Sequence, residues 1–114
     1  MKQTGEAYAF FKCGVSKRKI EKELPKIRKI SQTPNELELS LMDDLDELRG
    51  DAELLNSLVP QAKHGGMNYV MKATYQGASN KETADHLTGI INQAYQTPLY
   101  KEGESFVSGI AYKE

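Results

Sequence analysis

One pattern of turns and helix occurs twice in this chain of 114 residues. Residues 14–27 read GVSKRKIEKELPKI, and residues 77–90 read GASNKETADHLTGI. In both copies a Gly-x-Ser sequence precedes the helix-like segment, and a Gln-Thr-Pro sequence follows it, at residues 32–34 and 96–98. Serine is a favoured helix N-cap residue, and proline marks the turn beyond a helix. Each copy therefore predicts one helix between two tight turns.

Segments typical of β-strands flank both predicted helices. The sequence EAYAFFKC at residues 6–13 leads into the first copy, and MNYVMKATYQ at residues 67–76 leads into the second. After the first copy, LELSL at residues 37–41 alternates leucine with polar residues, as a strand with one buried face does. After the second copy, ESFVSGIAY at residues 104–112 closes the pattern. Each half therefore predicts a β-α-β unit.

Two β-α-β units in one chain predict a ferredoxin-like two-layer sandwich, an α+β fold with a four-stranded antiparallel sheet. A leucine-rich acidic segment separates the units, and we interpret it as a helical insertion. The prediction is a single domain with unit one at residues 5–42, the insertion at 43–64 and unit two at 65–114. The alternative is chance, because glycine, serine and proline are favoured in the turns of any such unit.

Proline and glycine positions predict interruptions in the helices. Pro25 lies inside the first predicted helix, where it removes one backbone hydrogen bond, and it predicts a kink or two shorter helices. In the acidic segment, Gly50 predicts a break, and Asp51 is placed to cap a second helical piece. That second helix is expected to end near Pro60.

The composition is that of a folded protein, and the single cysteine agrees with a reducing compartment. Hydrophobic residues make up 39% and charged residues 27% of the chain, which is close to the average for globular domains. The longest apolar runs fall far short of the roughly 20 residues that cross a bilayer, and the first ten residues lack the apolar stretch of a secretory signal. A single cysteine, Cys13, excludes an internal disulfide. We therefore expect a cytoplasmic protein that does not enter the membrane.

Charge is distributed unevenly along the chain, although the net charge is only −1. Residues 16–30 contain seven basic and two acidic side chains, a net charge of +5. Residues 36–53 contain eight acidic and one basic side chain, a net charge of −7. Because like charges repel, each block requires solvent or an opposite partner, and the two blocks could match each other.

The predicted sheet has a second face that the two repeat helices leave open. Alternation about an outward Lys72, together with alignment of the halves at their Gly-x-Ser turns, orients the strand residues. The side chains predicted to face the helices are Tyr8, Phe10, Tyr69, Met71, Ala73 and Tyr75. Those predicted to face away are Ala7, Ala9, Phe11, Asn68, Val70, Lys72, Thr74, Val107, Gly109 and Ala111.

This mixture of small apolar and polar side chains is typical of a contact surface. It predicts either a homodimer through the open face of the sheet or a sheet covered by the acidic segment. The predicted interface residues are Ala7, Ala9, Phe11, Val70 and Lys72.

A candidate catalytic site arises at one end of the predicted sheet. The topology brings Cys13, His64 and Asp43 to this end. A thiol, an imidazole and a carboxylate are the parts of a nucleophilic site, in which the histidine lowers the pKa of the thiol and the acid orients the histidine. Their spacing matches no established motif, and a cysteine at a strand end is also explained as a small buried hydrophobe. No CxxC, HExxH or EF-hand pattern occurs, so we expect no metal and no cofactor.

The first predicted helix presents a row of basic side chains. They are Lys17, Arg18, Lys22, Lys26 and Lys29. Such a row could bind an anionic partner, and the phosphates of a nucleic acid are one option. The slightly negative net charge argues against it, and a solvated helix face is the simpler interpretation.

The sequence contains no strong catalytic motif. The leading interpretation is therefore a small cytoplasmic binding or interaction module without catalytic activity, homo-oligomeric through the open sheet face and with a protein partner as a further option. One alternative is a small enzyme or ligand-binding protein that uses Cys13, His64 and Asp43. Another is nucleic-acid binding through the basic first helix.

Overall fold

A computed structural model describes residues 3–48, 50, 53–97 and 106–114 of the chain. The elements in chain order are β1 (Thr4–Lys12), α1 (Lys17–Ile30), β2 (Leu37–Met42), a short 3₁₀ helix (Leu45–Leu48), α2 (Leu55–His64), β3 (Tyr69–Gln76), α3 (Asn80–Ala94) and β4 (Phe106–Ala111). The predicted α+β class is confirmed.

The four strands form one antiparallel sheet in the order β2-β3-β1-β4. The first and third strands therefore lie side by side at the centre. In their register Ala9 is opposite Met71 and Phe11 is opposite Tyr69. β2 and β4 form the two edges of the sheet.

Both helices that follow the Gly-x-Ser sequences begin at the predicted serines. Ser16 caps α1 by accepting a hydrogen bond from the Lys19 N–H. Ser79 caps α3 in the same way and accepts from the Glu82 N–H. The second Gln-Thr-Pro sequence ends at Pro98, which lies outside the described residues.

The first face of the sheet is covered by α1 and α3. Both helices bury one apolar stripe against small and aromatic side chains of β1 and β3. Residues buried in this core include Ala7, Ala9, Phe11, Ile20, Ile27, Tyr69, Met71, Ala73, Leu87 and Ile90. Close approach of α3 to β1 depends on Gly5, because a Cβ there would collide with the Ser79 carbonyl and the Thr83 hydroxyl.

The second face of the sheet is covered in part by the 3₁₀ helix and α2. The 3₁₀ helix and α2 bury leucine and valine side chains against Tyr8, Phe10 and Val70. The buried residues from the covering segment are Leu45, Leu48, Leu55, Val59 and Ala62. Of the two fates predicted for this face, cover by the acidic segment is the one seen.

The predicted faces of β1 are wrong, whereas those of β3 are confirmed. Ala7, Ala9 and Phe11 point toward α1 and α3. Tyr8 and Phe10 point toward α2. The predicted interface residues Ala7, Ala9 and Phe11 are therefore buried beneath two helices.

The error in β1 comes from a difference of one residue between the two turns. Cys13 and Tyr75 both face α1 and α3, yet Ser16 follows Cys13 by three residues and Ser79 follows Tyr75 by four. Aligning the serines therefore shifts the strand by one residue. Because strand side chains alternate, that shift exchanges every face.

A bulge in β4 makes the predicted face of Val107 wrong. Phe10 is paired with Gly109 and Phe11 with Val107, so β4 contains one extra residue at this point. Val107 consequently packs with the core on the first face, whereas Ala111 packs on the second face as predicted. Gly109 has a φ of 147°, which L side chains rarely adopt.

Neither internal proline ends its helix, so the predicted helix end near Pro60 and the option of two shorter helices at Pro25 are wrong, whereas a kink at Pro25 stays a prediction. α1 continues through Pro25, and α2 continues through Pro60 to His64. The carbonyls that lose a donor belong to Glu21 and Asn56, both of which are exposed, so water can bond them. The predicted break at Gly50 agrees with its φ of 95°, while Asp51 lies outside the described residues.

Among the described helices, none has the length and apolarity that a membrane span requires.

Candidate functional site

Cys13, the candidate nucleophile, packs in the core on the first face. Its side chain belongs to the apolar cluster beneath α1 and α3, and the residue is 2% exposed. It borders a cavity of about 30 Å³ that is otherwise lined by apolar side chains such as Ile27, Met71 and Ile91. A cavity of that size has room for one or two water molecules.

Tyr69 links Cys13 to the acidic end of β2. Its ring stacks on Phe11 with the centroids 5.4 Å apart, and its hydroxyl donates to the Val15 carbonyl at 2.7 Å. Burial raises the pKa of Tyr69 above its ordinary value of 10.0, and the nearby Cys13 and Asp43 raise that pKa further. The structure therefore brings Cys13 and Asp43 to the same end of the sheet, around a neutral tyrosine.

His64 lies apart from the thiol. It is the exposed last residue of α2, which covers the second face, whereas the Cys13 side chain lies in the core of the first face. A histidine must be within hydrogen-bond reach of a thiol to lower the pKa of that thiol. The catalytic role of Cys13, His64 and Asp43 stays a prediction.

The predicted basic row lies on the solvent side of α1. Arg18, Lys22, Lys26 and Lys29 are exposed, and Lys17 is half-buried. The acidic side chains of the 3₁₀ helix lie elsewhere, because that helix is on the opposite face of the sheet. No described side chain of the acidic block forms an ion pair with a described side chain of the basic block.

Arg28 has a role that the sequence did not reveal. Its guanidinium Nη2 donates to the Pro34 carbonyl at 3.1 Å and to the Leu37 carbonyl at 2.7 Å. These bonds join the end of α1 to the turn and to the start of β2. The Gln-Thr-Pro turn was the available signal, since it reverses the chain next to this arginine.

Val70 and Lys72, the remaining predicted interface residues, lie on the second face as expected. Val70 is fully buried under the covering segment. The Lys72 ammonium lies 5.9 Å from the ring centroid of Tyr8, a cation–π distance. Neither residue therefore belongs to a bare sheet surface.

A groove remains where α2 does not reach the β4 edge. Its volume is about 350 Å³, within the range of ligand and side-chain pockets. The sheet supplies Phe10 and Ala111, α2 supplies Leu58 and Gln61, and the turn between α2 and β3 supplies Met67. Sequence reasoning missed this groove because it depends on how far the covering segment extends.

The β4 edge beside this groove is open in the described residues. β4 pairs with β1 on one side, and no described strand pairs with its other side. Residues 106–111 read FVSGIA and contain no charged side chain. The opposite edge, β2, carries Glu38 and follows Glu36, both exposed, and charges of this kind protect an edge from pairing.

No group of three or more His, Cys, Asp or Glu side chains in the described ranges could hold a metal ion. Comparison of the chain with models of protein families, with curated proteins and with solved structures finds no match.

Proposed function

We propose that this chain is a non-catalytic interaction module with a ferredoxin-like fold and that it forms a homodimer through the β4 edge. Two features support the fold: the strand order β2-β3-β1-β4 with antiparallel neighbours, and the location of α1 and α3 on one face. In this view residues 43–64 are an insertion between two β-α-β units. A cytoplasmic location is part of the proposal, and one cysteine is consistent with it.

The main observation in favour of this dimer is the difference between the two edges of the sheet. In the described part of the chain the outer side of β4 pairs with no strand, and residues 106–111 include no charged residue, whereas β2 presents Glu38. A strand edge without charges is prone to pair with a further strand. A second copy of β4, antiparallel to the first, satisfies this edge through the same surface on both subunits.

The groove also favours a second copy of β4 as the partner strand. It lies beside the β4 edge and exposes Leu58 and Ala111 in part. When a strand joins an edge, alternate side chains enter the pockets beside it and add affinity to the backbone hydrogen bonds. The partner's apolar β4 side chains fit a groove with this lining.

The oligomeric state tests the proposal. Light scattering after size-exclusion chromatography is expected to give twice the chain mass of 12.8 kDa. Ala111→Lys places a charge on the second face of β4, in the groove that the partner strand is expected to enter, so the dimer should dissociate. Ser40→Lys is the matched control, because Ser40 is exposed on the other edge strand. A wild-type monomer, or a dimer that survives Ala111→Lys, rules out this interface.

A further inference from the structure

The solvent side of α1 carries a stripe of four basic side chains, Arg18, Lys22, Lys26 and Lys29, called here the basic stripe. Steps of four, four and three residues place them within about 80° of one another on a helix of 3.6 residues per turn. All four are exposed. They lie opposite Ile20 and Ile27, which are buried in the core.

The protein does not neutralise the basic stripe within the described residues. No described carboxylate forms an ion pair with any of its four members. By contrast, Lys63 pairs with Asp46 at 2.7 Å, and Arg28 is bonded to two carbonyls. The stripe therefore presents four charges along about 17 Å of helix axis.

The stability of α1 does not explain these charges. Its first turn contains Lys17, Arg18 and Lys19 and no acidic residue. The N-terminus of a helix is the positive end of its dipole, so cations there are unfavourable. α3 follows the favourable pattern with Glu82 in its first turn. A local conflict of this kind is expected where residues serve binding rather than folding.

We propose that the basic stripe binds the phosphate backbone of a nucleic acid. Lysine contacts phosphate as a point charge, and a row of lysines along a helix can follow successive phosphates. Protein partners fit less well, because lysine is depleted in the centres of protein interfaces. A membrane surface fits less well, because the apolar face of α1 is already buried in the core and cannot enter the lipid.

The acidic 3₁₀ region gives this contact an orientation. Asp44 and Glu47 are exposed, and the 3₁₀ helix packs on the opposite face of the sheet from α1. The acidic region repels phosphates on that side, so the nucleic acid is expected to approach the basic stripe. The slightly negative net charge therefore does not oppose binding at α1.

Fluorescence anisotropy with a labelled single-stranded RNA and a labelled DNA duplex, both of mixed sequence, tests the proposal. If all four side chains contact phosphates, the logarithm of the association constant should fall linearly as the logarithm of the salt concentration rises. The expected slope is about 2.8 for the single strand and about 3.6 for the duplex. Lys22→Gln/Lys26→Gln should lower the slope by about 1.4 to 1.8 and weaken binding about 25- to 60-fold at roughly 0.1 M salt.

The matched control is Lys81→Gln/Lys113→Gln, which removes two exposed charges outside α1. It should leave the affinity unchanged, and circular dichroism should show that both variants remain folded. Absence of oligonucleotide binding at low salt overturns the proposal. So does an equal loss in both variants. Binding to phosphatidylserine vesicles without binding to either oligonucleotide assigns the stripe to a membrane and also overturns it.

Discussion

The side-chain amide of Asn68 bonds both backbone groups of Cys13. Its Oδ1 accepts from the Cys13 N–H at 2.9 Å, and its Nδ2 donates to the Cys13 carbonyl at 2.8 Å. The amide thus replaces a strand partner just beyond the end of β1. It also holds the residue whose side chain closes the first-face core.

Asn68→Ala is expected to destabilise the fold by about 1–2 kcal/mol, because Cys13 loses both partners and water replaces them only in part. Asn68→Asp keeps the acceptor and loses the donor, so its effect should be intermediate at most. Urea unfolding measures both differences. Equal stability of wild type and Asn68→Ala contradicts the role assigned to this amide.

Gly5→Ala is expected to lower the free energy of unfolding by about 1–3 kcal/mol. The new methyl group meets the backbone carbonyl of Ser79, which cannot move without shifting the start of α3. Gly89→Ala is the matched control, since nothing lies within 4 Å of its added Cβ. That variant should be more stable by about 0.5–1 kcal/mol through helix propensity. Thermal melts of the two variants should therefore shift in opposite directions.

The Cys13 thiol is expected to react slowly with iodoacetamide in the folded protein, because the residue is 2% exposed. Reaction should become rapid in denaturant. Mass spectrometry after a short exposure at neutral pH provides the measurement, and His64→Ala should not alter the rate. Rapid labelling of the native protein that is lost in His64→Ala supports the catalytic site instead.

Tyr69 is expected to make stability fall at alkaline pH. Its folded pKa lies above 10.0, so the folded state retains a proton that the unfolded chain releases. The contribution is complete below pH 10.0 and is lost as pH rises through the folded pKa. Tyr69→Phe should lack this component of the decline, and it should lose about 1 kcal/mol with the hydroxyl bond to Val15. Parallel alkaline profiles for wild type and variant refute the assignment.

Local signals predicted local structure well. Ser16 and Ser79 cap their helices because an N-cap needs only a serine and the next turn of backbone. The strands followed from alternation and composition for the same reason. The basic row on α1 was also readable, since helical spacing alone places Arg18, Lys22 and Lys26 together.

Features that depend on contacts between residues far apart in the sequence could not be predicted from the sequence. The face of each β1 residue depends on its register with β3, in which Phe11 is opposite Tyr69, and the turn after Cys13 is one residue shorter than the turn after Tyr75. The bulge beside Gly109 depends on pairing with β1. Pro25 is tolerated because Glu21 faces water. Helical periodicity predicts that exposure only when the buried side of the helix is known. The groove could not be predicted, because it depends on how far α2 extends across the sheet.

Because α1 and the acidic 3₁₀ region pack on opposite faces of the sheet, a basic and an acidic part of the surface lie on opposite sides of the sheet. Asp44 and Glu47 belong to the acidic part, and Lys22 and Lys26 belong to the basic part. We therefore expect both cation-exchange and anion-exchange resins to retain the protein at neutral pH, each through a different part of its surface. Its calculated isoelectric point of about 6.1 describes the sum of its charges and not the surface that a column meets.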